Sequence, residues 1–221
     1  MLPSSELDAF YRAFPSQRKA DNLVHLIQPG QDVLDIGCGD GAVLADLADR
    51  VELGVAIGFD PLPLAPRAGL ELIQADIEAY LEGYDQSFDV MICNHVVEHL
   101  PGEAMEQLRQ LVSERLRPGG KFILEYPKIA ALGTMMRYYY IDPTHLPPRH
   151  HALMRWFFER AGLAYENARD VNQDFEEERF ERIWEDRFGE LDPKLKEMFF
   201  FIMREMTEAR DIQMVFTKPD A

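Results

Sequence analysis

A glycine-rich turn between an apolar segment and a helix is the feature that most constrains this chain. Residues 33–41 run Val-Leu-Asp-Ile-Gly-Cys-Gly-Asp-Gly. The apolar run is typical of a buried parallel strand, because both faces of such a strand are covered. The alternate glycines predict a turn where any side chain would collide with a bound ligand. With the helical pattern of residues 42–48, the segment predicts the first strand, turn and helix of a nucleotide-binding α/β sheet.

The spacing of these glycines narrows the kind of ligand. A dinucleotide fingerprint runs G-x-G-x-x-G and holds a pyrophosphate at the helix N-terminus, whereas this chain has G-x-G-x-G. Asp35 before the turn and Asp40 within it would repel a pyrophosphate. Both carboxylates suit a ligand with cationic or hydroxyl groups. A tight turn that binds no ligand is the alternative at this point.

Size and charge limit the class of protein. The 221 residues suit a single domain over 1–221, with room for an inserted subdomain. The 39 acidic and 23 basic residues give a formal net charge of -16. This charge argues against a nucleic-acid substrate and against an electrostatic hold on an anionic membrane.

The cysteines and the apolar segments favour an intracellular protein. Cys38 and Cys93 form no disulfide framework and are expected to be reduced and buried. The N-terminal residues lack the basic and apolar regions of a signal peptide. No apolar run is long enough to span a bilayer. We therefore expect a cytoplasmic protein with no stable membrane insertion.

Apolar runs alternate with helical segments along the first two thirds of the chain. Strands are predicted at 33–36, 55–59, 72–75, 88–93 and 121–126, and a helix at 102–116. This alternation predicts an α/β fold with a doubly wound, mostly parallel sheet. Three of the strands end in an acid, at Asp35, Asp60 and Asp76. In such a sheet these ends line one crevice.

The glycine turn and the strand-end acids resemble those of the class I S-adenosylmethionine-dependent methyltransferases, whose first motif has the form D-x-G-x-G-x-G. The resemblance covers residues 30–126 well, the last strand weakly and residues 172–210 not at all. It implies a seven-stranded sheet with an antiparallel edge hairpin, formed by strands at 165–171 and 211–218. It also implies transfer of a methyl group from S-adenosyl-L-methionine to an oxygen or nitrogen of a small-molecule or glycan-like acceptor.

The resemblance assigns residues to the cofactor. Asp60 would accept the ribose hydroxyls, Asp76 and the Ile77 amide would hold the adenine, and Asp35 would orient the methionine ammonium. The other residues expected beside the cofactor are Gly37, Cys38, Gly39, Pro61, Asn94 and His95. For Asp60 and Asp76, capping of the following helix is the alternative.

The segment after the fourth strand carries two histidines around an acid. Residues 94–100 run Asn-His-Val-Val-Glu-His-Leu and would flank the sulfonium. His95 is expected to face the methionine portion and to serve catalysis, whereas Glu98 and His99 can equally be structural. His95 and His99 stand four residues apart, a spacing that one helix face can offer a metal. No third ligand is evident from the sequence, so we expect no metal.

The segment 138–151 is the part most relevant to the acceptor. Three tyrosines offer apolar area with polar tips, and three prolines restrict the backbone. Residues 142–145 (Asp-Pro-Thr-His) are similar to a run in methyltransferases of glycan and surface-polysaccharide assembly. His145 is the candidate general base for an acceptor hydroxyl. A loop histidine bonded to Asp142 or to the backbone is the alternative.

Two helical segments lie outside this core. Residues 1–28 are expected to form a lid in which Tyr11 and Arg18 approach the cofactor carboxylate, with a solvated helix face as the alternative. Residues 172–210 are predicted to form a helical insertion. Its second helix, including residues 195–206, has six consecutive apolar residues. It would pack on the core as a cap, cover the substrate as a lid or mediate a homodimer.

Two other functions are compatible with a glycine turn of this kind. A non-catalytic S-adenosylmethionine-binding or interaction module is favoured slightly by the apolar run in the insertion. A nicotinamide-dependent oxidoreductase is opposed by the glycine spacing, and no hydride-transfer site is recognisable.

Overall fold

The computed structural model describes residues 20–137, 139–172, 177–207 and 209–220. The strands are β1 Val33–Ile36, β2 Ala56–Asp60, β3 Glu71–Gln74, β4 Phe88–Asn94, β5 Leu116–Pro127, β6 Ala164–Val171 and β7 Asp211–Thr217. They form a seven-stranded sheet in the order β3-β2-β1-β4-β5-β7-β6. The first five strands are parallel, and β7 runs antiparallel to both β5 and β6. The predicted α/β fold with an antiparallel edge hairpin is confirmed.

The helices that connect the strands enclose two separate apolar cores. Their bounds are α1 Ala42–Arg50, α2 Ile77–Gly83, α3 Gly102–Arg115, α4 Leu132–Arg137, α5 His151–Glu159, α6 Glu177–Phe188 and α7 Pro193–Thr207. Leu34 and Ile36 of β1 belong to one core, and Val33 belongs to the other. Because successive side chains of a strand point to opposite faces, this division explains why the central strands are apolar throughout.

The start of the described chain differs from the helical segment predicted for residues 1–28. Its described part forms two short 3-10 turns, Ala20–Asn22 and Val24–Leu26. Ala20, Leu23 and Ile27 are buried in the same core as Val33, so this short segment is held by packing. Residues 1–19, which contain most of the predicted lid, lie outside the described residues.

The insertion before β7 contains a pair of helices, as predicted. Asp192 caps the start of α7, where its Oδ1 accepts a hydrogen bond from the Lys194 amide at 2.9 Å. The apolar side chains of α7 are largely open to solvent: Met198 is 48% exposed and Phe201 is 62% exposed. This exposure does not fit a helix buried on several sides. No described helix has both the length and the apolarity needed to cross a bilayer.

Candidate functional site

The glycine turn is fixed at the carboxyl ends of β1 and β2. The amides of Gly37 and Cys38 both donate to the Phe59 carbonyl, at 2.9 and 3.0 Å. The Gly39 amide donates to Oδ2 of Asp60 at 2.9 Å. The structure therefore brings together the glycine turn and the acid at the end of β2, as the sequence predicted.

Asp60 is buried but retains hydrogen-bonding capacity. It is 7% exposed, and its Oδ1 accepts a second backbone hydrogen bond, from Leu62 at 2.9 Å across Pro61. Each carboxylate oxygen has two lone pairs. The two backbone donors orient the carboxylate and leave room for further donors, such as a vicinal pair of hydroxyls.

The glycines of the turn are required by the protein itself. Gly37, Gly39 and Gly41 have φ values of 68°, 57° and 75°, in the left-handed region that favours glycine. A Cβ on Gly37 would lie 2.4 Å from Cγ2 of Val96, and one on Gly41 would lie 3.0 Å from Leu72. Our expectation that a side chain here would meet a ligand is therefore incomplete, because it would meet neighbouring side chains first.

The two acids of the glycine motif have different surroundings. Asp35 is 3% exposed and lies in register between Gly58 of β2 and Ile92 of β4. Asp40 is on the surface, where its Oδ2 lies 3.0 Å from Nη2 of Arg67. Only Asp35 is thus placed in the sheet, where the turn begins.

Asp76 has the capping role that the sequence left open. It precedes α2, and its Oδ1 accepts a hydrogen bond from the Ala79 amide at 2.8 Å. The Ala75 amide donates to the Asp60 carbonyl at 3.1 Å, which holds the start of this segment beside β2. Ile77 follows Asp76 as the first residue of α2. The cap uses one oxygen of Asp76 and therefore does not by itself exclude a contact with adenine.

Asn94 ends β4 at the same edge of the sheet, and His95 follows it. Asn94 is 6% exposed, and its Oδ1 has no hydrogen-bond donor among the described residues. His95 has a φ of 53°, unusual for a residue other than glycine. Such strain persists where the surroundings hold the residue in place, and it clusters at functional sites.

Three carboxylates surround the His95 ring. Nδ1 lies 3.2 Å from Glu98, and Nε2 lies 3.6 Å from Asp211 and 4.0 Å from Glu125. Burial opposes the charged form, but the acids outweigh it and raise the pKa of His95 to about 9. At neutral pH His95 is therefore an imidazolium, which cannot accept a proton as a general base.

His145 belongs to a second cluster, which it forms with Glu98 and His99. This cluster adjoins the group around His95, because Glu98 contacts His95. Nδ1 of His145 lies 2.6 Å from the Tyr139 carbonyl. A carbonyl oxygen only accepts, so Nδ1 carries the proton and only Nε2 can act as a base. Nε2 lies 3.9 Å from Asp142. His145 is therefore bonded to the backbone, which was the alternative to a catalytic role. This contact fixes the tautomer of the ring and does not exclude a role in catalysis.

His99 packs against His145, with ring centroids 4.7 Å apart. Its Nδ1 lies 2.8 Å from Oγ1 of Thr144, whose hydroxyl lies 2.6 Å from Oδ1 of Asp142. Glu98 is buried beside both histidines. The structure thus joins the segment after β4 to the loop after β5, which sequence spacing did not predict.

Sequence reasoning missed a polar network at the ends of β5 and β7. Asn172 donates to Oε1 of Glu125 at 3.0 Å and to Oδ2 of Asp211 at 2.6 Å. Gln213 donates to Oε2 of Glu125 at 3.2 Å, and burial raises the pKa of Glu125. The available signal was an acidic residue near the end of β5, Glu125, and another at the start of β7, Asp211.

Two predicted cofactor contacts cannot be placed. Tyr11 and Arg18 lie outside the described residues. Their assignment to a lid stays a prediction.

The family comparison agrees with the fold and the turn. A family model for methyltransferase domains matches residues 8–168. This range includes β1 to β5, the glycine turn, His95 and the cluster of Glu98, His99 and His145, and it ends within β6.

Individual relatives match parts of the chain. A ubiquinone biosynthesis O-methyltransferase from Vibrio atlanticus is 33% identical over 99 residues, which are 41% of this chain and 41% of that protein. A bifunctional methionine biosynthesis protein MetXA/MetW from Rhodopirellula baltica is 29% identical over 50% of this chain and 19% of its own length. The chain thus spans less than half the length of these curated relatives.

Solved structures extend the likeness of fold to nearly the whole chain. A SAM-dependent methyltransferase from Archaeoglobus fulgidus superposes with a TM-score of 0.68 at 20% identity, covering 98% of this chain and 95% of that one. Since the family model spans well over half of the residues, the chain belongs to the methyltransferase domain family, within the class I S-adenosylmethionine-dependent methyltransferases.

Proposed function

We propose that this protein transfers the methyl group of S-adenosyl-L-methionine to an oxygen or nitrogen of a small-molecule or glycan-like acceptor. The observation that carries the proposal is the hydrogen bond between the Gly39 amide and Asp60. It fixes the Asp60 carboxylate beside a turn with little side-chain bulk, which supports a role for Asp60 in holding the ribose hydroxyls. That combination is what a nucleoside needs at the switch point of a doubly wound sheet.

The cofactor would extend along the carboxyl edge of the sheet. Asp60 would hold the ribose, and Asp76 with the Ile77 amide would hold the adenine. Asp35 would face the methionine ammonium from the start of the turn. The buried Oδ1 of Asn94 supports this placement, because a buried acceptor without a donor is costly. A donor on the ligand, such as the ammonium, would satisfy it.

The acceptor would lie toward the loop that follows β5. The methyl, the sulfur and the acceptor atom must be held nearly in line, and water must be excluded. Tyr140 is 69% exposed and offers apolar area to an incoming acceptor. For a hydroxyl acceptor, Nε2 of His145 is the candidate proton acceptor. The name of the Vibrio atlanticus relative supports an oxygen acceptor, while the run 142–145 supports a glycan.

Binding of S-adenosylhomocysteine, measured by calorimetry, tests the cofactor half of the proposal. We expect one equivalent to bind, and NADH fluorescence to stay unchanged on titration with protein. No heat with S-adenosylhomocysteine at millimolar concentration would overturn the proposal. NADH binding would favour the oxidoreductase alternative. Cofactor binding without a methylated product from phenolic, amine and glycan acceptors would favour a non-catalytic module.

We also propose that α7 mediates a homodimer through residues 195–206. Exposed apolar side chains support this contact: Leu195, Met198, Phe199, Phe201, Ile202 and Met203. Exposed apolar patches of this kind mark interaction sites in soluble proteins. A lid formed by residues 1–28 stays a prediction from the sequence, and so does a cytoplasmic location.

A further inference from the structure

We propose that Glu98, His99 and His145 form a binding site for a divalent cation of the zinc type. One ligand atom from each residue lies within 4.8 Å of the others. Two imidazoles and one carboxylate are a donor set that zinc uses in catalytic sites with three protein ligands. The site goes beyond the proposed methyl transfer and does not depend on it.

The two histidines are already oriented as ligands. Nδ1 of His145 donates to the Tyr139 carbonyl. The hydroxyl of Thr144 donates to Asp142, so its oxygen accepts from Nδ1 of His99. Both rings thus carry their proton on Nδ1, and Nε2 is the nitrogen with the lone pair. Metal-binding histidines have this arrangement, in which the other ring nitrogen donates to an outer partner.

Glu98 supplies the charge for a cation. Its side chain is 2% exposed, and neither of its oxygens has a well-aligned hydrogen-bond donor among the described residues. One oxygen lies 3.2 Å from Nδ1 of His95. This ion pair would orient the carboxylate from behind, as outer partners of ligating carboxylates do. A buried carboxylate in poor hydrogen-bonding geometry is costly, and a cation would compensate it.

The three ligand atoms need only a small movement to reach bonding distance. Zinc lies about 2.0–2.1 Å from nitrogen and oxygen ligands, which places tetrahedral ligand atoms roughly 3.3 Å apart. The present separations are at most 4.8 Å, so side-chain rotations that bring the atoms closer by up to about 1.5 Å would close the site. Asp142 adds negative charge nearby, with Oδ2 at 3.9 Å from Nε2 of His145.

The neighbouring cluster of His95, Glu125 and Asp211 is a weaker candidate, although its atoms are equally close. Both nitrogens of His95 already face carboxylates, at 3.2 Å and 3.6 Å. The two oxygens that face Nε2 already accept hydrogen bonds from Asn172, Oε1 of Glu125 at 3.0 Å and Oδ2 of Asp211 at 2.6 Å. We assign the cation to the cluster around His99 and His145.

Coordination would also change the role of His145. Its Nε2 lone pair would bind the cation, so the base role proposed above would apply only to the metal-free protein. Three protein ligands leave one tetrahedral position for a water molecule or an oxygen of the acceptor.

The site is tested by titrating zinc into the chelator-treated full chain and measuring the heat of binding by calorimetry. We expect one equivalent to bind. H99Q and H145Q should each weaken binding by more than about 100-fold, the upper range for loss of an outer partner. T144V, which removes such an outer partner, should weaken it by about 10- to 100-fold. H25Q and H151Q alter histidines outside the cluster and should leave the affinity unchanged.

Cobalt gives a second readout that does not depend on activity. Co²⁺ in a tetrahedral site should produce intense visible absorption, which H145Q should abolish. The site is overturned if no zinc binds, or if H25Q or H151Q weakens binding while H99Q and H145Q do not. Titration of each variant with S-adenosylhomocysteine separates the two proposals. In the unaltered protein, cofactor binding without zinc binding rejects only the metal site, whereas the absence of cofactor binding rejects the methyltransferase function.

Discussion

The Gly39 amide donates a hydrogen bond to Oδ2 of Asp60 over 2.9 Å, and this contact ties the first two strands together at the candidate cofactor site. It connects residues 21 positions apart in the chain. The backbone donor fixes the direction of the carboxylate, so its remaining lone pairs face a defined position.

Replacing Asp60 by alanine should weaken cofactor binding. A hydrogen bond to a charged group contributes about 1.5–3 kcal/mol, so loss of the ribose contact should raise the Kd for S-adenosylhomocysteine by roughly 10- to 150-fold. D60N keeps the size and one oxygen, and we expect an intermediate Kd. Calorimetry gives both values, and thermal melting checks the fold. An unchanged Kd in folded D60A would contradict the assignment of Asp60.

Replacing Gly37 by alanine should destabilise the fold by two separate effects. The left-handed backbone costs about 1–2 kcal/mol for an L-residue, and the clash with Val96 adds about 1–3 kcal/mol of overpacking. Urea unfolding measures the loss. G69A is the matched control, because Gly69 has a φ of 76° but no atom within 4 Å of an added Cβ.

The contribution of the Val96 clash can be tested by removing the Val96 side chain. In the V96A background, G37A should lose the clash share of its cost and retain only the backbone share. If G37A costs the same with and without Val96, the close approach of these two residues is not the cause.

Replacing His95 by asparagine should destabilise the protein strongly at neutral pH. Asparagine tolerates a positive φ, so the main effect is loss of the imidazolium that faces Glu98, Glu125 and Asp211. Removal of one partner from a buried ion pair costs about 3 kcal/mol or more. Urea unfolding with a chelator present measures this cost. Adding D211N to H95N should recover part of the stability, and a further loss instead would argue against charge compensation.

Replacing His145 by glutamine should lower turnover without weakening cofactor binding. Loss of a general base costs about 100-fold or more in kcat, while His145 lies in the loop after β5, which is proposed to face the acceptor rather than the cofactor. The measurement is kcat with a hydroxyl acceptor, beside the Kd for S-adenosylhomocysteine. Full activity in H145Q would remove His145 from the chemistry in either role.

Replacing Phe201 by glutamate should dissociate a dimer formed through α7. Phe201 is 62% exposed, so the change should not affect the monomer fold. A charge at the centre of an apolar contact should cost about 2 kcal/mol or more, visible as a monomer in sedimentation velocity. W156E changes an exposed aromatic residue on α5 and serves as the control. A monomeric unaltered protein would reject this dimer.

Local patterns were sufficient for the elements but less so for their ends. The strand at Val33–Ile36 and the helix that follows the turn were predicted from apolar periodicity, which needs only neighbouring residues. β5 begins at Leu116 rather than at 121, since the pairing of Leu116 with Phe88 of β4 extends the strand through Gly119 and Gly120. The segment 20–27 adopts 3-10 turns because burial of Ala20, Leu23 and Ile27 decides its conformation.

The position of Asp60 and Asp76 at one edge of the sheet was predicted from the sequence, whereas the contacts of His95 and His145 required the tertiary structure. Asp60 and Asp76 follow strands, and parallel strands end at one edge of a sheet, so local patterns already implied their proximity. His145 meets His99 only because the loop after β5 folds back onto the segment after β4. Asp211 meets His95 only because β7 pairs with β5 in antiparallel register. Contacts across such separations depend on how whole elements pack, and no local spacing in the chain specifies them.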